Sequence, residues 1–509
     1  MVFRFFPPLC FVLFGLVTVS FAQKPNILLI YTDDHTHRAV SCYPEAWDWV
    51  KTPNIDALAE KGVRFHHATI GTWCMPSRAT ILTGRLQFGV ESMKMDGEYP
   101  GSTYNPKKCQ FWPSTFRKNG YTTAQIGKWH TGVDSGYDRD WDHQVVWNRP
   151  KYPANAGNYY YDQQLEINGV PIKVPGYSTD NYTNWAVDFI NGSNRDENKP
   201  WYLWVCYGAV HGPFTPAERH LKDYPEVTVP IPADIYPPRP GKPAYVNAME
   251  NWIPGKNGQP ELKGGFQART VDTQGVHGNT LNDWVRQVHQ GVRAIDEGVG
   301  KMIDALTASK QLHNTLVVFT SDQGMGWGQH GFRHKLGPYD ATIRSPLIFS
   351  MPGTLPEGKV CMSPVGGQDL PPTFFSFAGI DLPWEMHGQD LTPQLKNPAT
   401  PRKEPVLMAL TSDRYGSATK KIPDPQHQML AGVPWWVSLT EQHFKYIRTL
   451  TEGETEELYD LSRDPEELDN LALNAQFREK LLEMRGKTLK ELKRTKAPFL
   501  ESLPAVAAP

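Results

Sequence analysis

Three things are scarce in this chain, and each absence narrows its class. Of 509 residues only six are cysteine, and one of these, Cys10, lies in the N-terminal apolar run without a lipobox around it. The others, Cys42, Cys74, Cys109, Cys206 and Cys361, are odd in number and include no CxxC pair. That excludes a disulfide framework or a structural zinc site as the organising device. Net charge is also scarce, at -2. No global field draws a polyanion such as nucleic acid, and an anionic ligand has to be held by a few cations in a pocket. Finally, no long apolar run and no internal repeat follow the first 22 residues, so the mature chain has no membrane span.

What is present fits a soluble globular α/β protein. Hydrophobic residues make up 39% and charged residues 21%, as in ordinary globular proteins, and the length suits one large domain with a smaller one. Arg4, the apolar stretch Leu9 to Val19 and Ser20-Phe21-Ala22 read as a signal peptide over 1–22, which predicts a secreted or periplasmic protein. Asn26–Tyr31 (NILLIY) reads as a buried parallel strand that ends on Asp33 and Asp34. Further strands are expected at Thr122–Ile126, Tyr202–Tyr207, Thr315–Thr320 and Pro346–Ser350, with helices at Asn54–Lys61, Thr183–Ile190 and Leu281–Leu306. The 3/4 spacing of Val285, Val288, Val292, Ile295, Val299, Met302 and Ile303 gives the last helix one apolar stripe.

This alternation predicts a large, mostly parallel mixed sheet sandwiched by helices, with sites at the carboxyl ends of its strands. Residues 223–274, rich in Pro and Gly, read as an irregular excursion at the substrate cleft. From residue 404 the pattern changes to short strands and a charged helix, Gln476 to Lys493. The expected division is therefore 23–403 for the catalytic domain and 404–509 for a small antiparallel sheet with a helix. Most of the 16 Trp are assigned to cores and some to sugar platforms.

The sharpest local signal is Cys74-Met75-Pro76-Ser77-Arg78. Pro two residues after Cys74 suits the first turn of a helix, and Gly84 can end it. Cys74 then sits at a positive helix N-terminus with Arg78 one turn on, which by itself describes either a low-pKa thiol or a plain buried cysteine. Asp33, Asp34 and Asp322-Gln323 end two apolar strands. Three carboxylates and an amide oxygen form a hard donor set for Ca²⁺ or Mg²⁺, while any one Asp alone is equally well a turn residue.

Cys74-x-Pro76-Ser77-Arg78 followed by Leu82-Thr83-Gly84-Arg85 resembles the signature of the type I, formylglycine-dependent sulfatases of the alkaline-phosphatase-like superfamily. Its four fixed positions recur by chance about once in 10⁵ windows. KPNILLIYTDDH, SDQGMGWGQHG, GKWH and LYDLSRDPEELDNLA are similar to further segments of that family, so the resemblance spans most of the mature chain. It implies that a formylglycine-generating enzyme oxidises Cys74 to 3-oxoalanine, whose hydrate attacks sulfur and later expels sulfate. It also implies a divalent metal, Ca²⁺ by preference, held by Asp33, Asp34, residue 74, Asp322 and Gln323. Gln323 is one methylene longer than the family's common Asn.

By the same resemblance Lys128 binds a sulfate oxygen or the formylglycine oxygen, Lys335 binds sulfate, Arg78 helps neutralise the sulfuryl oxygens, His130 contacts the diol as base for the elimination, and His211 protonates the leaving alcohol. His330 is a candidate substrate contact from its loop position alone, while His37, His66, His67 and His334, also near site loops, read for the most part as structural or solvated, with sugar contact the alternative for some. The implied substrate is a sulfated carbohydrate. Two other readings stay open: a phosphonate or phosphodiester hydrolase on the same fold, and a silent homologue that binds sulfated glycans.

Overall fold

A computed structural model describes residues 1–2, 24–96, 100–265, 278–424 and 429–506. From residue 3 on, the expected signal peptide lies outside the described residues, as do residues 266–274 of the expected excursion. The core is a ten-stranded sheet in the order Lys359–Cys361, Gly62–Phe65, Leu347–Ser350, Thr315–Ser321, Asn26–Thr32, Trp201–Cys206, Thr122–Trp129, His143–Asn148, Tyr161–Ile167, Val170–Tyr177. Its five central strands, from Thr315–Ser321 to His143–Asn148, are parallel. Antiparallel pairings join the flanking strands to them on both sides.

The first strand shows why the sheet is buried on both faces. Every residue of Asn26–Thr32 is buried. Ile27, Leu29 and Tyr31 enter one core, and Leu28 and Ile30 the other, as the period of two requires. One face is covered by Pro53–Glu60, Ser178–Ile190 and the long helix Leu281–Ala308, whose predicted stripe is buried except for half-buried Ile303. That helix starts at a reciprocal cap in which Thr280 Oγ1 accepts from the Asp283 N–H. Helices Cys74–Thr83, Pro113–Lys118 and Leu370–Ala378 cover the other face.

Several features depart from the pattern read in the sequence, among them the additional strands Gly62–Phe65, His143–Asn148 and Lys359–Cys361. The strand expected at Thr122–Ile126 runs on to Trp129, so Lys128 lies within it. The edge pair Tyr161–Ile167 and Val170–Tyr177 was not anticipated, because its mixed burial leaves no apolar run. Val406–Leu410, Trp436–Glu441, Phe444–Thr449 and Glu457–Asp460 form the smaller antiparallel sheet, with helix Arg478–Arg494 against it.

The excursion is irregular but anchored. Arg239 donates to the carbonyls of Asp234, Ile235, Val246 and Met249, which satisfies backbone that no ladder pairs. Lys242 Nζ reaches Tyr459 Oη of the smaller sheet at 2.7 Å. Nine of the tryptophans, among them Trp112, Trp204 and Trp436, are fully buried core residues. Among the described residues no helix is long and apolar enough to cross a membrane, and none of Cys42, Cys74, Cys109, Cys206 and Cys361 is in a disulfide.

Candidate active site

The functional side chains converge at the carboxyl ends of four adjacent parallel strands. Thr32 and Ser321 are register partners, so the chain delivers Asp33 and Asp322 side by side. Asp34 turns the backbone through the left-handed region at φ 57°, a conformation Asp tolerates better than most residues. Its N–H bonds Asp322 Oδ1 at 3.0 Å. Opposite them, Cys74 is the first residue of the helix that Gly84 closes at φ 69°, as its motif predicts.

Cys74 Sγ donates to Asp33 Oδ1 at 3.2 Å and accepts from Lys335 Nζ at 3.0 Å. One ligand atom from each of Asp33, Asp34, Cys74 and Asp322 lies within 4.8 Å of the other three, and Asp33, Cys74 and His211 form a second such group. Gln323 enters the same cluster, with its amide donating to Asp34 Oδ1 and its Oε1 3.4 Å from Ser77 Oγ. An amide turned about its own axis offers an oxygen from the same place. Three buried carboxylates with an amide are hard donors, and they fit a divalent cation such as Ca²⁺ or Mg²⁺.

Three cations face the three carboxylates. Arg78 Nη2 lies 3.4 Å from Asp322 Oδ2 and 3.6 Å from Asp33 Oδ2, while its Nη1 donates to the Lys128 carbonyl at 3.1 Å. Lys128 Nζ contacts Asp33, and Lys335 Nζ is 2.6 Å from Asp34 Oδ1. Burial decides the protonation of this cluster. It pushes the Cys74 thiol up to about 12, with Lys335 opposing and Asp322 and Asp34 adding to the rise. Burial thus opposes the low-pKa thiol that the helix N-terminus suggests. Burial also raises Asp34, against Lys335, and lowers Lys128, with the nearby Arg149 reinforcing it.

The two histidines sit in opposite surroundings. His211 Nδ1 is 2.7 Å from the Gly212 carbonyl, so that nitrogen carries a hydrogen, and Nε2 is 3.6 Å from Asp34 Oδ2. Fully buried His130 is lowered well below the usual histidine range, first by burial and then by Arg149, Lys128, Arg78 and Lys335. Cys74, Arg78, Lys128, His211, Lys335, Asp33, Asp34, Asp322 and Gln323 thus share one cluster, which His130 joins through the strand carrying Lys128.

His330 is not brought there. It is 1% exposed, bonds Asp234 Oδ2 through Nδ1 at 2.6 Å and lies against Tyr339, so it ties the excursion to the loop that carries Lys335. Two residues escaped the sequence reading: Arg149, at the ring of His130, and Tyr159, stacked on His211 at 4.2 Å and 4°. Both follow a strand that would have had to be recognised first, and no spacing marks them.

Comparison with known proteins agrees with this geometry. A family model described as Sulfatase matches residues 25–380. The chain is 29% identical over 520 aligned positions to an N-acetylglucosamine-6-O-sulfatase of Bacteroides thetaiotaomicron, covering 92% of this chain and 87% of that protein. To an arylsulfatase of Clostridium perfringens it is 26% identical, over 92% of this chain and 95% of the other. A solved structure in complex with its substrate D-glucosamine-2-N,6-O-disulfate superposes with a TM-score of 0.76 at 25% identity, over 93% of this chain and 98% of that one. The chain belongs to the sulfatase family, the sulfuric ester hydrolases of alkaline-phosphatase-like fold.

Proposed function

We propose that the protein removes sulfate from a sulfated carbohydrate, using formylglycine made from Cys74 and a divalent cation, Ca²⁺ in preference to Mg²⁺. One observation carries this reading. Residue 74, first in its helix and inside the signature Cys74-x-Pro76-Ser77-Arg78, touches Asp33 and Lys335 at the centre of a buried cluster of three carboxylates and three cations, which supports it as the position of the nucleophile. Once formed, the hydrated aldehyde would supply one hydroxyl for attack on sulfur and a second for sulfate release, and Asp33, Asp34, Asp322, Gln323 and residue 74 would hold a cation that supplies positive charge beside it.

The chain's own groups do the rest. Lys128, Lys335 and Arg78 form a fixed set of cations beside the nucleophile, placed to bind sulfuryl oxygens as charge builds on them. His211 protonates the departing sugar oxygen from Nε2, the ring being fixed by its Nδ1 bond to Gly212. His130, kept neutral among cations, accepts the proton when sulfate is released. In this reading residues 23–403 carry the reaction, while 404–509 support the Lys335 loop. The chain is exported by the peptide 1–22 and matured by a formylglycine-generating enzyme.

The relatives that act on glucosamine sulfates support a 6-sulfated glucosamine as the first substrate to try. The test is turnover of a panel of defined sulfated saccharides by the matured protein, with the residue-74 peptide probed by a hydrazide reagent. Sulfate release and a reactive aldehyde are expected. An unmodified thiol in an active preparation would overturn the mechanism. Faster turnover of matched phosphonate or phosphodiester compounds, or tight glycan binding without turnover, would replace the function.

A further inference from the structure

Arg149 stands where the family signature places nothing. It follows the strand His143–Asn148, its side chain is buried, and its Nε donates to the Ala156 carbonyl at 2.8 Å. The guanidinium also lies over the rings of Trp147 and Tyr159, with its carbon 5.4 and 5.0 Å from their centroids. Nη1 is 3.0 Å from Nδ1 and 3.3 Å from Nε2 of His130. Such nearly equal distances place the guanidinium nitrogen over the face of the imidazole rather than in line with either nitrogen. A cation on that face attracts a neutral ring and repels an imidazolium.

We infer that Arg149 is a positioning residue of the sulfatase site: its guanidinium, itself anchored, fixes the plane in which the His130 ring meets the reaction. The inference rests on the role of His130 proposed above. Arg149 is held by the Ala156 carbonyl and by the faces of Trp147 and Tyr159, which makes it a fixed support for the imidazole. Tyr159 gives the arrangement a ledge, since it bears Arg149 and Lys128 at 5.0 and 5.1 Å and stacks on His211. Tyr159 thus touches His211 directly and His130 only by way of Arg149.

The test is a double-mutant cycle on the matured protein, reading sulfate release from N-acetylglucosamine 6-sulfate and, in parallel, from 4-nitrophenyl sulfate. Arg149→Gln is expected to lower kcat about 100-fold with little change in KM, in line with the loss of a positioned general base. In a His130→Ala background the same substitution is expected to cost less than about threefold, because a residue acting through His130 has nothing left to position. Arg149→Lys, which keeps the charge but not the planar fork, should fall between and carries the same cycle if the Gln variant is unstable to heat. An equal loss in both backgrounds, or a wild-type rate for Arg149→Gln, overturns the inference. A wild-type protein silent on both probes overturns the proposed function instead.

Discussion

Replacing Lys335 by Met removes one ammonium group and keeps the stem, which makes it a clean probe of how the cluster is balanced. Its Nζ lies 2.6 Å from Asp34 Oδ1 and 3.0 Å from Cys74 Sγ, with the side chain 14% exposed. Asp33, Asp34 and Asp322 face Arg78, Lys128 and Lys335, so the variant leaves one buried carboxylate without its cation. Losing one preorganised donor to developing charge costs about 10²–10³ in kcat, or about 2.7–4 kcal/mol of transition-state stabilisation. Breaking a fully buried ion pair costs up to about 3–5 kcal/mol of stability. The present cost should sit below that, because Asp34 is already raised by burial and can take up a proton. A divalent cation at the carboxylates would replace part of the missing charge. The expected result is therefore a lowered Tm in chelator, a smaller gap in Ca²⁺, and a kcat loss that Ca²⁺ does not repair. The assay is thermal unfolding with and without chelator beside steady-state sulfate release, at equal aldehyde content. Retention of activity within about threefold, or a pure KM effect, would refute the assigned role of Lys335.

Three further outcomes are expected. His211→Ala should lose about 10²–10⁴ in rate on sugar sulfates and far less on an activated aryl sulfate, since only a poor leaving group needs the acid; equal losses would remove that role. Prolonged chelation should lower both Tm and activity, and Ca²⁺ should restore them better than Zn²⁺; at 100 times its Kd a ligand adds about 2.7 kcal/mol of stability, so an unchanged Tm would argue against the metal site. Glu467, which accepts from the Asp340 N–H and pairs with Lys445, is raised to about 7 by burial despite Lys445. Its folded form binds a proton that the unfolded chain has released between about pH 4.5 and 7, so its contribution favours the folded state at low pH and fades as pH rises to 7. Urea unfolding of Glu467→Gln should show a flatter pH dependence across that window, and an unchanged slope would contradict the assignment.

Much of this molecule was legible in one dimension. NILLIYTDD and TLVVFTSDQ state strands that end in carboxylates, because a strand buried on both faces must be continuously apolar and its polar residues appear where it leaves the core. The Cys74 motif states its own helix through Pro76 and Gly84, and the period of the 281–308 helix states its buried stripe. The edge strands 161–177 were illegible because half-exposed residues carry no periodic signal.

The remaining decisions belong to tertiary structure. The helix N-terminus alone suggests a reactive thiol; burial among Asp33, Asp34 and Asp322 pushes the Cys74 thiol up instead, since desolvation depends on what surrounds a group rather than on its neighbours in sequence. Lys335 is held by residues about a hundred positions away, Trp436 donating to the Leu336 carbonyl at 2.8 Å and Lys445 pairing Asp340 at 2.8 Å. Arg149 reaches His130 only because two parallel strands pair. The sequence by itself determined the family, and the nucleophile position and metal-type donor set proposed here are likewise read from local patterns. The protonation of those groups, and the cations that hold them, were decided by contacts between segments that meet only in the folded chain.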